Sequence, residues 1–288
     1  MTLFNGVAVT ESIKNNDNIR VQKHLLHQKP FTVGAFSLLP SIATSARPAM
    51  AIFTHGYTSH KGSILTWPIR LAQEGIPSLI FDLPGHYLGS FNEVEKFSDF
   101  KRLTHQLFIQ AFYALKANFC QAFPEQQLEL NRPDFTLVLG GHSLGALLAL
   151  KALALPELEA YHTIAIAVGF GISKIHHGNH IFETPFYKST LHVRSQLVST
   201  ALNPTKVFAW IREEKKNIGT HLKPSRVHMI VGQDDLIVQK EGAEHIRDLL
   251  LAKGHNVSLE YPTRLPHHLP EEAASYIKRF LVSEKIIN

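Results

Sequence analysis

The composition of this 288-residue chain excludes several classes of protein. Hydrophobic residues make up 44% and charged residues 18%, which is typical of a globular chain with a substantial core and not of a disordered one. The formal net charge of +5 comes without a block of lysines and arginines, so we expect no nucleic-acid partner. The single cysteine, Cys120, excludes an intrachain disulfide.

The sequence also lacks targeting and membrane signals. Its first 20 residues do not combine a charged region with a long apolar core, so we expect no signal peptide. No run of about 18 apolar residues occurs, so we expect no integral membrane segment. These features favour a cytoplasmic location, whereas nothing in the sequence predicts the oligomeric state.

Short apolar runs along the chain predict β-strands. Residues 19–27 and 31–39 form a predicted hairpin, joined by the turn at residues 28–30. Six further runs are rich in Val, Ile and Leu, which is typical of strands buried on both faces of a parallel sheet. They cover residues 49–56, 77–85, 135–143, 162–171, 226–235 and 256–262.

Segments with helical spacing of apolar residues lie between these runs. They cover residues 63–74, 97–123, 144–155, 238–253 and 271–282. Repeated alternation of strand and helix predicts an α/β fold with a doubly wound, mostly parallel sheet. The amino-terminal hairpin should add antiparallel strands at one side.

Residues 172–222 interrupt the alternation with a segment far longer than an ordinary connection. We predict that they form a helical cap over a core made of residues 1–171 and 223–288. The cap holds seven lysines and arginines against three glutamates, which indicates either a solvated face or steering of an anionic substrate. Several aromatic residues could give it an apolar underside, namely Phe182, Phe186, Tyr187, Phe208 and Trp210.

The sequence Gly-His-Ser-Leu-Gly at residues 141–145 joins a predicted buried strand to a predicted helix. Such a turn holds a serine hydroxyl out from the carboxyl edge of the sheet, where the following helix directs its positive end. We therefore predict that Ser143 is a nucleophile and not a simple helix cap.

A serine nucleophile requires a base and an acid that orients the base. Asp234 and Asp235 follow the strand at residues 226–235, and His267 and His268 lie between the last strand and the last helix. The order Ser, Asp, His along the chain is the one that an α/β-hydrolase requires. The residues themselves leave open which aspartate and which histidine take part.

The chain resembles the α/β-hydrolase superfamily from about residue 33 to residue 280. The resemblance depends on five separate motifs in the same order, FTHGYTSHKGS, FDLPGHYLGS, GGHSLGA, VGQDDLIV and HHLPEEAASYIKRFL. Its Gly-x-x-Asp-x-x-Val spacing favours Asp235 over Asp234 as the acid. The family's usual His-apolar-Pro pattern favours His268 over His267 as the base. His267 would then be a neighbouring residue at the rim of the pocket.

An oxyanion needs two preorganised N–H donors. One should be the amide of Leu144, directly after the nucleophile, and the resemblance implies the amide of Tyr57 as the other. The motif at residues 81–90 departs from the family pattern at Tyr87 and Leu88. We expect Asp82 and His86 in that motif to order backbone and not to perform chemistry.

Eighteen histidines raise the question of a metal, and the densest cluster is His176, His177 and His180. We interpret it as solvated cap residues and expect no metal or cofactor. The predicted function is hydrolysis of a carboxylic ester of a small-molecule acyl substrate, apolar or anionic. Thioesterase, lipase-like, amidase and acyltransferase activities remain alternatives on the same triad, as does a non-catalytic protein that binds a small molecule.

Overall fold

A computed structural model describes residues 3–4, 7–16, 19–42, 45–172, 185–220 and 222–288. Ten of the described segments are strands of one sheet, in the order β1-β2-β3-β4-β6-β5-β7-β8-β9-β10. The strands are Leu3–Phe4, Val7–Asn16, Ile19–Gln28, Phe31–Pro40, Ala49–Thr54, Ser78–Phe81, Thr136–His142, His162–Val168, Arg226–Ile230 and Asn256–Glu260.

The sheet has an antiparallel part and a parallel part. Strands β1 to β4 are antiparallel, and β4 also pairs antiparallel with β6. From β6 to β10 every pairing is parallel. The carboxyl ends of six strands therefore lie along one edge, which is where open α/β sheets place their ligand sites. The predicted fold class is confirmed.

The predicted hairpin is confirmed as β3 and β4, whose register runs from Gln28 opposite Phe31 to Ile19 opposite Pro40. Strands β1 and β2 were not predicted. Their sequence, LF and VAVTESIKNN, holds no continuous apolar run, and its polar second half has the composition of a loop. They form because β3 offers a free edge for antiparallel pairing.

Helices cover both faces of the sheet. The helices of the core are α1 Thr66–Gln73, α2 Phe97–Leu103, α3 Leu107–Ala122, α4 Leu144–Ala152, α7 Lys240–Ala252 and α8 Ala274–Ser283. One apolar cluster includes buried residues of α3, α4 and α7, and a second includes those of α1 and α8. No helix in the described part of the chain is long and apolar enough to cross a membrane.

The prediction of a single helix over residues 97–123 was wrong. A 3₁₀ turn at Thr104–Gln106 separates α2 from α3. The two helices pack on different partners, because Phe100 of α2 contacts the ring of Trp210 whereas Phe108 of α3 contacts Phe81 in β6. The 3₁₀ turn therefore lies between two helices with different packing partners.

The segment between β8 and β9 contains α5 Pro185–Ser195, a 3₁₀ turn at Thr200–Leu202 and α6 Pro204–Lys216. Asn203 caps α6 by accepting the backbone N–H of Lys206 at 3.1 Å. Trp210 packs edge-on against Phe97 and Phe100, so α6 is fixed to the core. That residues 172–222 form a separate unit stays a prediction.

Candidate active site

Ser143 lies where the sequence places it, between the last residue of β7 and the first residue of α4. Its backbone has φ 52° and ψ −107°, a conformation that a residue with a side chain rarely adopts. The strain persists because the Ser143 N–H donates to the carbonyl of Val168 at 2.8 Å and the Ser143 carbonyl accepts from Leu147 at 3.2 Å. The turn has the form of a nucleophile elbow.

Glycine is required on both sides of this turn. A Cβ on Gly141 would lie 2.4 Å from the carbonyl carbon of Gly145. A Cβ on Gly145 would lie 2.5 Å from the carbonyl oxygen of Thr54 and 2.6 Å from that of His55. The first turn of α4 therefore touches the end of β5, and this contact brings the serine next to the loop that follows β5.

We expect Gly145→Ala to lower the free energy of unfolding by about 1–3 kcal/mol, because the clashing atoms are backbone and α4 must move away from β5. Urea denaturation measures the loss. Gly62→Ala is the control, since its Cβ would meet only the His60 side chain, which can rotate away. Equal stability of the two variants would contradict the close packing of α4.

The acid and a histidine form a buried pair. Asp235 Oδ1 accepts the backbone N–H groups of Ile237 and Val238, both at 2.8 Å. Asp235 Oδ2 lies 2.8 Å from His267 Nδ1. Because a carboxylate only accepts, His267 donates through Nδ1 and its Nε2 is the nitrogen free to take a proton. The side chains of Asp235 and His267 are 2% and 17% exposed.

The structure pairs Asp235 with His267 and leaves His268 exposed to solvent. The preference for His268, taken from the His-Leu-Pro pattern, is therefore corrected in favour of His267. The physical reason lies in the 3₁₀ turn that begins at Pro270, together with the Leu269 N–H that donates to Pro266 at 3.0 Å. This tight turn directs one of two adjacent side chains inward and the other outward.

Asp234 has a different function from its neighbour. Its Oδ1 accepts the backbone N–H of Leu265 at 2.8 Å, and a Cβ on Gly232 would lie 2.0 Å from the Leu265 carbonyl oxygen. The Gln233 N–H adds a hydrogen bond to the Pro262 carbonyl at 2.8 Å. Residues 232–234 thus hold the loop that carries His267, and we name this set of contacts the loop bracket.

The loop after β5 carries the predicted oxyanion residue Tyr57. His55 is fully buried, donates through Nδ1 to the Gly56 carbonyl at 2.8 Å and accepts the Leu83 N–H at 2.9 Å through Nε2. Burial holds the pKa of His55 well below its usual range, and the neighbouring His86 acts in the same direction. His55 is therefore a neutral residue that stabilises this loop through hydrogen bonds, and not an acid or base.

The side chain of Tyr57 joins this loop to the segment before β9. Its hydroxyl donates to the Leu202 carbonyl at 2.6 Å, and its ring packs edge-on against Phe208 and His86. Leu144, the other predicted donor, is the first residue of α4, where backbone N–H groups lack partners within the helix. Both residues flank the serine turn, and their role toward an oxyanion stays a prediction.

Asp82 orders backbone, as expected for its motif. It is fully buried and accepts the Lys61 N–H at 2.8 Å, the Lys61 ammonium at 2.5 Å and the Ser90 hydroxyl at 2.9 Å. Ser90 in turn accepts the Gly34 N–H at 2.8 Å. A Cβ on Gly89 would lie 2.1 Å from Asp82 Oδ1. One carboxylate thus joins β4, the loop after β5 and the loop after β6.

We expect Asp82→Asn to cost about 3–5 kcal/mol of unfolding free energy, because it leaves the Lys61 ammonium without its buried counter-charge and turns an amide N–H₂ toward donors. Asp99→Asn is the control, since its ion pair with Arg102 lies on the surface and is worth less than about 1 kcal/mol. Chemical denaturation measures the free energy of unfolding of both variants. Similar losses in the two would contradict a stabilising role for the buried network around Asp82.

His86 connects the same loop to the predicted cap. It forms an antiparallel bridge with Val198, and the Tyr87 N–H donates to the Leu197 carbonyl at 2.9 Å. The Ser199 N–H donates to the Gly85 carbonyl at 2.9 Å. These two backbone hydrogen bonds, which together form the bridge, hold residues 197–199 to the core.

Lys215 of α6 also lies near the site. In the sequence it counts only as one of the positive charges of the predicted cap. Its ammonium donates to the Gly171 carbonyl and lies 4.8 Å from the ring centre of Phe170. Burial of the ammonium end lowers the pKa of Lys215 to about 8, and the charge of Asp235 acts in the opposite direction. The cation thus lies within the electrostatic reach of the acid.

No function was predicted for His142, the residue that precedes Ser143 in the serine motif. The His142 ring lies 4.6 Å from the ring of His267. Both rings lie next to Gly169, where a Cβ would be 3.0 Å from His142 Nε2 and 3.1 Å from His267 Cε1. Nothing in the spacing of residues 142 and 267 indicates this contact.

The described residues contain no group of three or more His, Cys, Asp or Glu side chains placed to hold a metal ion. The cluster of His176, His177 and His180 lies outside the described residues.

Comparison with known proteins assigns this arrangement to a family. The model of the Alpha/beta hydrolase family matches residues 51–265, which include the serine turn, Asp235 and the loop up to Leu265. A search of curated proteins found no match.

Solved structures with a similar fold include several esterases. An esterase from an Arctic intertidal metagenomic library aligns with a TM-score of 0.53 at 16% identity, covering 100% of both chains. A Pyrococcus furiosus esterase gives 0.57 at 20% identity, covering 93% of this chain and 91% of its own. A Pyrobaculum calidifontis esterase gives 0.61 at 14% identity, covering 92% and 85%. At these identities the likeness is one of fold.

Proposed function

Because the chain belongs to the α/β-hydrolase family, we propose that it is a serine hydrolase that cleaves carboxylic esters through an acyl-enzyme intermediate. The observation that carries the proposal is the hydrogen bond between His267 Nδ1 and Asp235 Oδ2, in the loops beside the strained turn of Ser143. It supplies a base with its tautomer held, which an uncharged serine hydroxyl requires.

In the proposed first step, Ser143 Oγ attacks the ester carbonyl carbon and gives its proton to His267 Nε2. Asp235 stabilises the imidazolium through the hydrogen bond to Nδ1. The amides of Leu144 and Tyr57 donate to the oxygen that becomes negative. The bond to the alcohol oxygen then breaks as His267 returns the proton to that oxygen, and the acyl group stays on Ser143.

In the second step, a water molecule attacks the acyl carbon and gives a proton to His267 Nε2. The bond to Ser143 Oγ breaks, the proton returns to that oxygen, and the carboxylic acid leaves. Overall, one ester and one water molecule give one carboxylic acid and one alcohol, with Ser143 regenerated and no change of oxidation state. A thioester or an amide in place of the ester, or an alcohol in place of the water, would give the alternative reactions of the same triad.

We also propose that residues 172–222 act as a cap that limits which acyl group reaches Ser143. The contacts of Tyr57 with Leu202 and Phe208 support this proposal, because they place an aromatic side chain of the segment beside the predicted oxyanion loop. An aromatic neighbour favours an apolar acyl group. Of the other predicted aromatics, Phe182 lies outside the described residues, and the side chains of Phe186 and Tyr187 are not described.

The experiment that tests the proposal has two parts. A fluorophosphonate probe should label the protein at one site, and peptide mapping should identify Ser143. The protein should also hydrolyse p-nitrophenyl acetate faster than the matched thioacetate or anilide. Labelling without turnover of any of the three would contradict the ester assignment. A protein that neither labels nor turns over would instead support a binding protein on this fold.

A further inference from the structure

His142 lies between the two parts of the proposed catalytic machinery. It is the last residue of β7, where it pairs with Val168 of β8, so its backbone is fixed by the sheet. A Cβ on Gly56, next to Tyr57, would lie 2.7 Å from His142 Nδ1. On its other side the ring meets that of His267 at 4.6 Å with an interplanar angle of 55°. The ring therefore fills the space between the oxyanion loop and the proposed base.

Packing alone does not explain why a polar side chain occupies position 142. The residue is 7% exposed, and its Nε2 has no hydrogen-bond partner among the described residues. Leaving a buried polar atom without a partner costs about 1–3 kcal/mol, which an apolar side chain would avoid. Burial and the nearby His267 both hold the pKa of His142 well below its usual range, so the ring stays neutral.

We propose that His142 is a positioning residue, whose neutral ring packs against the imidazole of His267 and keeps it aligned with Asp235. Asp235 holds the His267 ring only at Nδ1, so the opposite side of the ring, which carries Nε2, depends on its packing neighbours for its position. The neighbours that the structure shows there are the ring of His142 and Gly169, which lies at the edge of both rings. A neutral ring packs there without repelling the imidazolium that forms during the reaction. The inference rests on the proposed function, because alignment matters only if His267 transfers protons.

The test replaces His142 by alanine and by glutamine, and compares each with the same change at His228. His228 is a matched control because it is also buried, stacks on Phe280 at 3.9 Å and has an Nε2 without a hydrogen-bond partner among the described residues, the Glu260 carboxylate lying 3.6 Å away. We expect kcat for p-nitrophenyl acetate to fall about 30-fold in H142A, with KM changed less than about threefold, because misalignment affects the chemical step more than binding. H142Q should lie between H142A and the wild type, and the His228 variants should keep the wild-type kcat.

A second readout does not need turnover. The Nδ1 proton of His267 should give a downfield proton resonance in the wild type, which H267A identifies by its loss. In H142A this resonance should broaden or disappear through exchange with water, and in H228A it should persist. An unchanged resonance and kcat in a folded H142A or H142Q would overturn the proposal. If the wild type hydrolyses no ester but H142A loses the resonance, the proposed function fails while the contact between the two rings is supported.

Discussion

Replacing Ser143 by alanine is expected to lower ester hydrolysis by about a million-fold, to the level that the remaining groups support without a nucleophile. In the proposed mechanism the Ser143 hydroxyl oxygen is the only triad atom that forms a covalent bond with the substrate, so no neighbour can take its place. The measurement is the initial rate with p-nitrophenyl acetate at saturating concentration. Fluorophosphonate labelling should disappear in the same variant.

The fold should tolerate this change. Alanine keeps the Cβ that the strained backbone at φ 52° already accommodates, and the backbone hydrogen bonds of residue 143 to Val168 and Leu147 do not involve the hydroxyl. The control is Ser225→Ala, which removes a surface hydroxyl that donates to the Lys223 carbonyl. Retained labelling in Ser143→Ala would show that another residue is the nucleophile.

Replacing His267 by alanine is expected to lower kcat by at least about 10⁴-fold, since Ser143 would then lose its base. His268→Ala should stay within about threefold of the wild type, because this side chain is exposed and the structure pairs Asp235 with its neighbour. Each variant is the control of the other, because both remove one imidazole from the same turn.

The comparison is decisive in either direction. Loss of activity only in His268→Ala would contradict the observed pairing and restore the assignment based on the His-Leu-Pro pattern. A small loss in both variants would contradict base catalysis by this loop. The denaturation midpoints of the two variants separate these outcomes from an effect on folding, since His267 but not His268 has a hydrogen bond to a buried carboxylate.

Most of the sheet could be predicted because its central strands are buried on both faces. Thr136–His142, for example, is buried along its whole length, and a continuous apolar run is the pattern such a strand requires. Strand β2 could not be predicted in this way, because the second half of its sequence, ESIKNN, is mostly polar, and the strand is recognised by its antiparallel backbone pairing with β3 and β1. The turn inside residues 97–123 separates two helices with different packing partners, Trp210 for α2 and Phe81 for α3, and the local sequence does not specify these partners.

The candidate site could likewise be predicted only in part from the sequence. Ser143 and the pair Asp234 and Asp235 each follow a strand, so the end of an apolar run indicated where to look for them, whereas the choice of Asp235 depended on the spacing of the family motif. The choice between His267 and His268 depends on the direction of a side chain in a turn, and a shift of one residue reverses it. The contact of His142 with His267 joins residues 125 positions apart in sequence, and only the folded chain brings them together.

The loop bracket also bears on how this chain could be re-engineered. It holds both ends of the short stretch from Pro262 to Leu265, so an added or deleted residue there would shift His267 relative to Asp235. The turn at Gly254, between α7 and β10, is different, since open space surrounds this residue, although its φ of 83° requires the glycine itself to be kept. A tag, a graft or new chain termini would therefore be tolerated at that turn, on the other side of β10, without changing the spacing of acid and base.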